Sequence, residues 1–133
     1  MVAYSYKPSF VPKIQAGTKV NTIRLPRKRH AYEGEMLQAY CGMRTKSCFK
    51  IIDDLPCKFS VPIRFAIEPE SLWSIELFDG RMMLAPEHYD AFAVRDGFDD
   101  MKQMARWWRS THELTTFSGQ LIGWKDLPQE WLQ

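Results

Sequence analysis

Short apolar segments separated by turn-forming residues are the feature that most limits what this chain can fold into. Most of these segments are rich in β-branched and aromatic residues, and Pro, Gly or Asp stands near their ends, a pattern typical of short strands. One longer segment contains Asp79-Gly80 at its centre and predicts a β-hairpin. The predicted strand regions are residues 20–25, 36–41, 48–52, 59–67, 72–84 and 117–124.

Helical signals occur in three other places. Residues 9–16 predict a short helix with Ser9 as N-cap and Gly17 as the stop, and Pro12 is tolerated there if it lies in the first turn. A second helix is predicted from Pro86 to about residue 94. Beyond Asp96-Gly97, a third is predicted after Asp99 or Asp100, since apolar residues recur from Met101 at helical spacing.

Together these segments predict one small α+β domain over residues 1–133, with a short tail at residues 125–133. The expected architecture is a partly open β-barrel of five to six strands, with two to three helices packed outside. Trp107, Trp108 and Trp124 are expected to belong mainly to the core, with one of them beside a pocket.

Composition narrows the functional classes. Residues 1–50 hold ten Lys or Arg and two acids, whereas the rest hold eight basic and fourteen acidic residues, so the first part is where an anionic partner would bind. Three cysteines and three histidines show no metal-ligand spacing, which predicts reduced thiols, no metal and no cofactor. Without an apolar leader or span, we expect a cytoplasmic protein with no membrane partner, and we favour a monomer.

The segment Gly-Thr-Lys-Val-Asn-Thr-Ile-Arg at residues 17–24 concentrates cationic and hydroxyl groups. The basic residues Arg27, Lys28 and Arg29 follow directly. A lysine, a threonine and an arginine this close together indicate a site for an anionic or polar ligand, such as a nucleoside, a nucleotide or RNA. Lys19 and Thr22 can meet only if Lys19 lies in the turn after the helix, because strand residues three apart face opposite ways.

The pattern Gly-x-Lys-x-x-Thr-Ile-Arg, followed by a Gly-containing turn and a strand, resembles the signature of ASCH domains, which belong to the PUA-like β-barrel superfamily. Residues 92–98, the helix with Trp107-Trp108 and the closing strand 117–124 are also similar to that family. The resemblance covers roughly residues 4–124. It is closest to the small bacterial amidohydrolases that remove the acyl group from N4-acetylcytidine.

The resemblance implies a catalytic set of Lys19, Thr22 and Asp96. Asp96 stands where the family has a glutamate and is one methylene shorter. In the implied reaction, Thr22 attacks the amide carbonyl of a nucleoside substrate and Lys19 acts as the base. Lys19 can do so only if burial or positive neighbours lower its pKa. Candidates for substrate binding are Asn21, Arg24, Arg29 and Tyr40, and His112 is a weaker pocket candidate.

Two alternatives stay open on the sequence. The acid could instead come from Glu68, Glu70, Glu76 or Glu87. The function could instead be RNA binding or RNA cleavage, with base stacking on an exposed Tyr32 or Tyr40. The basic surface for that function would consist of Arg24, Arg27, Lys28, Arg29 and Arg44.

Overall fold

Two β-sheets and three α-helices form the fold, in a computed structural model that describes residues 1–69, 72–112 and 115–132. The helices are α1 (Val11–Ala16), α2 (Tyr89–Arg95) and α3 (Met101–His112). The strands are β1 (Val2–Tyr6), β2 (Asn21–Arg24), β3 (Met36–Cys41), β4 (Phe49–Lys50), β5 (Leu55–Pro56), β6 (Phe59–Ala66), β7 (Ser74–Leu77), β8 (Met82–Met83) and β9 (Thr116–Gly123).

The first sheet is built around β3. Strand β1 runs parallel to β3, with Val2 opposite Leu37 and Tyr6 opposite Cys41. The short strands β4 and β5 pair antiparallel with β3. Alternation along β1 buries Val2, Tyr4 and Tyr6 and leaves the residues between them half-buried, as expected for a strand with one face against the core.

The second sheet is antiparallel throughout, in the order β2-β9-β6-β7-β8. Its longest pairing joins β6 to β9, from Phe59 opposite Gly123 to Ala66 opposite Thr116. Helix α3 buries Met101, Met104, Ala105 and Trp108, and the Trp108 ring packs against Phe65 and Phe117 of the second sheet. Strand β2 lies at the edge of this sheet, and its last residue, Arg24, donates a hydrogen bond to the Ser5 carbonyl of β1 at 2.8 Å.

Several local predictions are confirmed. Strand β3 has the predicted bounds, and β7 and β8 form the hairpin around Asp79-Gly80. Helix α1 ends at Gly17, whose φ of 80° lies in the left-handed region. Pro12 falls in the first turn of α1. Helix α3 is capped by Asp100, which accepts a hydrogen bond from the Gln103 amide at 2.8 Å.

The predicted barrel of five to six strands is corrected. The described residues contain nine strands in two sheets that do not close into a barrel, because β1 pairs with β3 and not with the second sheet. The sequence analysis missed β1 and the two-residue β5. Ser9 is not the N-cap of α1, since it lies inside a 3-10 turn, Pro8–Phe10, that precedes the helix.

The predicted C-terminal tail is in fact packed on the domain. A 3-10 turn, Gln129–Leu132, buries Trp131, whose ring contacts those of His88 and Phe92. Of the three tryptophans assigned mainly to the core, Trp108 is buried, while Trp107 and Trp124 are half-buried. All three cysteines are free, and only Cys48 is exposed.

Replacing Trp131 by Ala should lower the free energy of unfolding by about 3 kcal/mol, because a buried indole is removed from its cavity. Urea denaturation measures the change. Leu132→Ala is the matched control, since its side chain is 50% exposed, and it should change stability by less than about 0.5 kcal/mol. Equal effects of the two substitutions would contradict the docking of this segment.

Candidate functional site

Lys19 is held in the turn between α1 and β2. The amides of Thr18 and Lys19 both donate to the carbonyl of Lys13, at 3.0 and 3.1 Å, and so fold the chain back after Gly17. The Val20 amide then donates to the Arg95 carbonyl at 2.8 Å, which ties this turn to the end of α2. Lys19 therefore lies in the turn after α1 and outside strand β2, which is the position that the sequence analysis required if Lys19 and Thr22 are to meet.

Lys19 is buried, with only 2% of the residue exposed, and its ammonium group is surrounded by oxygen atoms. Nζ donates to the carbonyl oxygens of Asp96 at 2.6 Å and Asn21 at 2.8 Å. The Asp96 Oδ1 atom lies 3.6 Å from Nζ. The ring of Phe10 covers the same group, with its centroid 4.8 Å from Nζ. Two N–H groups are thus used by carbonyls, which leaves one position of Nζ for a carboxylate or for a group in the adjoining cavity.

Asp96 is buried at the end of α2, where it is 3% exposed. Besides its contact with Lys19, its Oδ1 atom accepts a hydrogen bond from Asn21 Nδ2 at 3.1 Å. Asn21 in turn accepts at Oδ1 from Arg95 Nε, also at 3.1 Å. The carboxylate is therefore supported from both β2 and the neighbouring turn.

Gly97 allows this close approach. Its φ is +102°, and a Cβ atom there would lie 2.7 Å from Phe10 Cδ1 and 2.9 Å from Lys19 Cδ. Side-chain atoms at those distances would overlap. The Asp96-Gly97 pair therefore both ends α2 and leaves room for the aliphatic part of Lys19.

Burial shifts the pKa values of both Lys19 and Asp96 toward their neutral forms. It lowers the pKa of Lys19 from 10.5 to about 8, an effect that Asp96 opposes and Arg24 and Lys13 reinforce. Burial likewise raises the pKa of Asp96, against the attraction of Lys19 and the hydrogen bond from Asn21. Burial therefore makes the neutral form of Lys19 more accessible near neutral pH than it is for an exposed lysine.

Thr22 and Arg24 share a face of β2, as their spacing predicts. Arg24 Nε donates to Thr22 Oγ1 at 3.2 Å, and another guanidinium nitrogen donates to the Ser5 carbonyl at 2.8 Å. The guanidinium carbon also lies 4.8 Å from the centroid of the Tyr6 ring. Because Oγ1 is the acceptor in the contact with Arg24, the hydroxyl proton of Thr22 remains available to a base.

A half-open cavity of about 300 Å³ connects these groups. Lys19, Thr22, Arg24 and Asp96 all contribute to its lining, so the three residues implied as catalytic and one implied as binding come together there. The remaining lining is largely aromatic and includes Tyr6, Phe10, Phe98, Trp107 and Trp108, with His112 beside them. This volume is at the lower end of the range for small-molecule sites.

Three other predicted binding residues are not among those that line the cavity. Asn21 is fully buried behind it and binds Arg95 and Asp96. Tyr40 lies on β3 opposite Ser5, and Arg29 forms an exposed ion pair with Glu35. Asn21 therefore contacts two of the cavity residues, Lys19 and Asp96, from behind, whereas Tyr40 and Arg29 are not part of the cavity lining.

The described glutamates that the sequence left open as alternatives to Asp96 form contacts away from Lys19. Glu68 pairs with Arg109 at 2.8 Å, Glu76 lies 3.8 Å from Arg64, and Glu87 lies 3.8 Å from His88. Glu70 is outside the residues that the structure describes. Asp96 is the carboxylate that the structure places beside Lys19.

The sequence analysis missed the contributions of β1 and of Arg95. Ser5, Tyr6 and Lys7 line the cavity, and the alternation of Val2, Tyr4 and Tyr6 was a strand signal that could have drawn attention to them. Arg95 gave no such signal, because its contact with Asn21 joins residues 74 positions apart in the chain.

Comparisons with known proteins found no matching family model, no matching curated protein and no matching solved structure. The described part of the chain contains no group of three or more His, Cys, Asp or Glu residues arranged to hold a metal ion. None of the described helices is both long and apolar enough to cross a membrane.

Replacing Gly97 by Ala should lower the free energy of unfolding by at least about 2 kcal/mol, because the positive φ and the overlap with Phe10 and Lys19 add together. Gly34→Ala is the control: φ there is +96°, but no atom lies within 4 Å of the added Cβ, so only about 1 kcal/mol is expected. Denaturant unfolding of both variants measures the difference. If the two variants were equally stable, the close approach at Gly97 would be refuted.

The buried Lys19 should also give stability a recognisable pH dependence. The pKa of Lys19 is about 8 in the folded protein and about 10.5 in the unfolded chain, so between these values the unfolded chain binds more protons. Stability relative to Lys19→Met should therefore rise from pH 8 to pH 10, by at most about 1.4 kcal/mol per pH unit. Urea titrations of both proteins test this, and a flat or falling difference would show that the pKa of Lys19 is not lowered.

Proposed function

We propose that this chain is an ASCH-like amidohydrolase that removes the acyl group from N4-acylated cytosine nucleosides such as N4-acetylcytidine. The observation that carries the proposal is the convergence of Lys19, Thr22 and Asp96 on one half-open cavity. Their spacing in sequence suggests the same chemistry through the resemblance to the ASCH domains. The proposed activity needs no metal or cofactor.

In the proposed reaction, neutral Lys19 takes the hydroxyl proton of Thr22 while Oγ1 bonds to the acyl carbon. The bond from that carbon to N4 then breaks, and protonated Lys19 returns the proton to the departing amine of cytidine. A water molecule, deprotonated by Lys19, next attacks the acyl ester, which releases the carboxylic acid and restores the Thr22 hydroxyl. The lowered pKa of Lys19 supports both proton transfers near neutral pH.

Arg24 and Asp96 have separate tasks in this scheme. Arg24 donates to Thr22 Oγ1 at 3.2 Å, so it favours the developing negative charge on that oxygen. Asp96, beside Nζ, stabilises the ammonium form of Lys19 that exists after each proton abstraction. The aromatic lining offers faces for a nucleobase, with the Trp107 ring next to that of Phe10.

A second candidate, an RNA-binding module, is favoured by one specific observation. The Tyr32 side chain is 61% exposed, and the Arg29 guanidinium lies 5.3 Å from the centroid of its ring. Arg27 and Lys28 are exposed in the same loop. An exposed aromatic ring amid cationic groups suits a base and its phosphate.

Purified wild-type protein should convert N4-acetylcytidine to cytidine, and kcat/KM should fall at least about a hundredfold in Lys19→Ala and in Thr22→Ala, since each loses one reacting group. Cytidine release is followed by chromatography. Thr18→Ala and Lys46→Ala are the matched controls, because both side chains are exposed, and they should retain activity.

Turnover that survives Thr22→Ala would show that Thr22 is not the nucleophile.

If the wild type does not hydrolyse N4-acetylcytidine, the affinity of the protein for single-stranded RNA tests the second candidate function. Affinity that falls steeply with salt and drops in Tyr32→Ala would support an RNA-binding module, because phosphate contacts release counterions. Binding that is absent or independent of salt would exclude it.

A further inference from the structure

A chain of hydrogen bonds runs from the C-terminal segment to the candidate site. Two terminal nitrogens of Arg95 donate to the carbonyls of Lys125 at 2.6 Å and Asp126 at 3.2 Å. Arg95 Nε donates to Asn21 Oδ1 at 3.1 Å, and Asn21 Nδ2 donates to Asp96 Oδ1 at 3.1 Å. The same Asp96 Oδ1 atom lies 3.6 Å from Lys19 Nζ. Neither Asn21 nor Arg95 is part of the cavity lining, so both lie behind the residues that form it.

These hydrogen bonds can form in only one orientation of the Asn21 side-chain amide. Arg95 can only donate, so it must face the oxygen of the Asn21 side chain. The amide nitrogen is then turned toward Asp96, which accepts when ionised. With the amide reversed, its oxygen would face a carboxylate oxygen and its nitrogen would face another donor. Asn21 is completely buried, so solvent cannot relieve such a mismatch.

Arg95 is itself fixed on several sides. Its backbone carbonyl accepts from the Val20 amide, between Lys19 and Asn21. Its guanidinium carbon lies 5.9 Å from the centroid of the buried Trp131 ring. Because the C-terminal segment holds the guanidinium group and α2 holds the backbone, Arg95 presents Nε to Asn21 in one orientation.

We propose that Asn21 and Arg95 are positioning residues for the Lys19–Asp96 pair. Arg95 sets the orientation of the Asn21 amide, and Asn21 holds the Asp96 carboxylate beside Lys19. This assignment replaces the expected role of Asn21 in substrate binding. Its importance for turnover rests on the proposed function, whereas its effect on Lys19 does not.

The surroundings of Lys19 determine how a new charge at position 21 would act. The charged groups that influence it are Asp96, Arg24 and Lys13, and the rings of Tyr6 and Phe10 lie against its ammonium group. A carboxylate at position 21 would adjoin Asp96 and so add negative charge near Nζ. Negative charge favours the ammonium form and raises the pKa of Lys19.

Asn21→Asp, which nearly preserves the shape of the side chain, therefore tests the proposal. The pKa of Lys19 should rise by about one pH unit. It is measured by NMR titration of protein labelled with ¹⁵N-lysine, with the Lys19 signal assigned from its loss in Lys19→Arg. Gln38→Glu makes the same change of charge on β3 in the other sheet and should leave that pKa unchanged. An unchanged pKa in folded Asn21→Asp would overturn the proposal.

Arg95→Lys provides a second test, because it keeps the positive charge but loses the Nε donor to Asn21. With N4-acetylcytidine, kcat should fall about tenfold while KM stays unchanged, since Arg95 does not line the cavity. The same substitution in an Asn21→Ala background should have little further effect. Arg106→Lys, at an exposed position of α3, is the matched control. Independent effects of the two substitutions would mean that Arg95 does not act through Asn21.

The two tests separate failure of this proposal from failure of the proposed function. NMR titration requires no substrate. If the wild type does not hydrolyse N4-acetylcytidine but Asn21→Asp raises the pKa of Lys19, the positioning role stands and the amidohydrolase assignment fails. If hydrolysis occurs and the pKa of Lys19 is the same in wild type and Asn21→Asp, the positioning role fails.

Discussion

The buried pair of Lys19 and Asp96 is the interaction on which the rest of the site depends. Taking both groups out of water is costly, and the cost is offset by their mutual attraction, by two carbonyl acceptors for Nζ and by the Asn21 amide. The offset is incomplete, because burial still lowers the pKa of Lys19 to about 8. A pair of this kind contributes little net stability. Its effect on the site is that the pKa of Lys19 is lower than that of an exposed lysine, as the proposed reaction requires of a base.

Three separate parts of the chain must meet to build that pair. The turn after α1 supplies Lys19, edge strand β2 supplies Asn21 and Thr22, and the end of α2 supplies Asp96. Their junction is held by backbone hydrogen bonds from Val20 to Arg95 and from Trp124 to Val20. Gly97 provides the space that a side chain would otherwise fill. Strand β1 completes the cavity through Ser5, Tyr6 and Lys7, so the first sheet takes part in a site that is centred on the second.

Local signals in the sequence predicted local structure well. Gly17, Asp79-Gly80, Asp96-Gly97 and Asp100 act on their nearest neighbours, and each ends or caps an element where expected. The division into two sheets was not predictable in this way, because it depends on β1 pairing with β3 more than 30 residues away. The motif at residues 17–24 drew attention to Lys19 and Thr22, and the resemblance added Asp96; the structure shows that these three residues line one cavity. The contact of Arg95 with Asn21 and the docking of Trp131 emerged only from the tertiary structure.

The most direct test of the central claim is to trap the acyl-enzyme. Wild-type protein is mixed with N4-acetylcytidine, quenched in acid within one turnover and digested with trypsin. Cleavage after Lys19 and Arg24 releases residues 20–24, in which Thr22 carries the only hydroxyl group. The account predicts that this peptide gains the mass of one acetyl group and that the gain is absent in Thr22→Ala. Release of cytidine with the peptide unmodified at every quench time, or with acetylation blocking cleavage at Lys19, would contradict it.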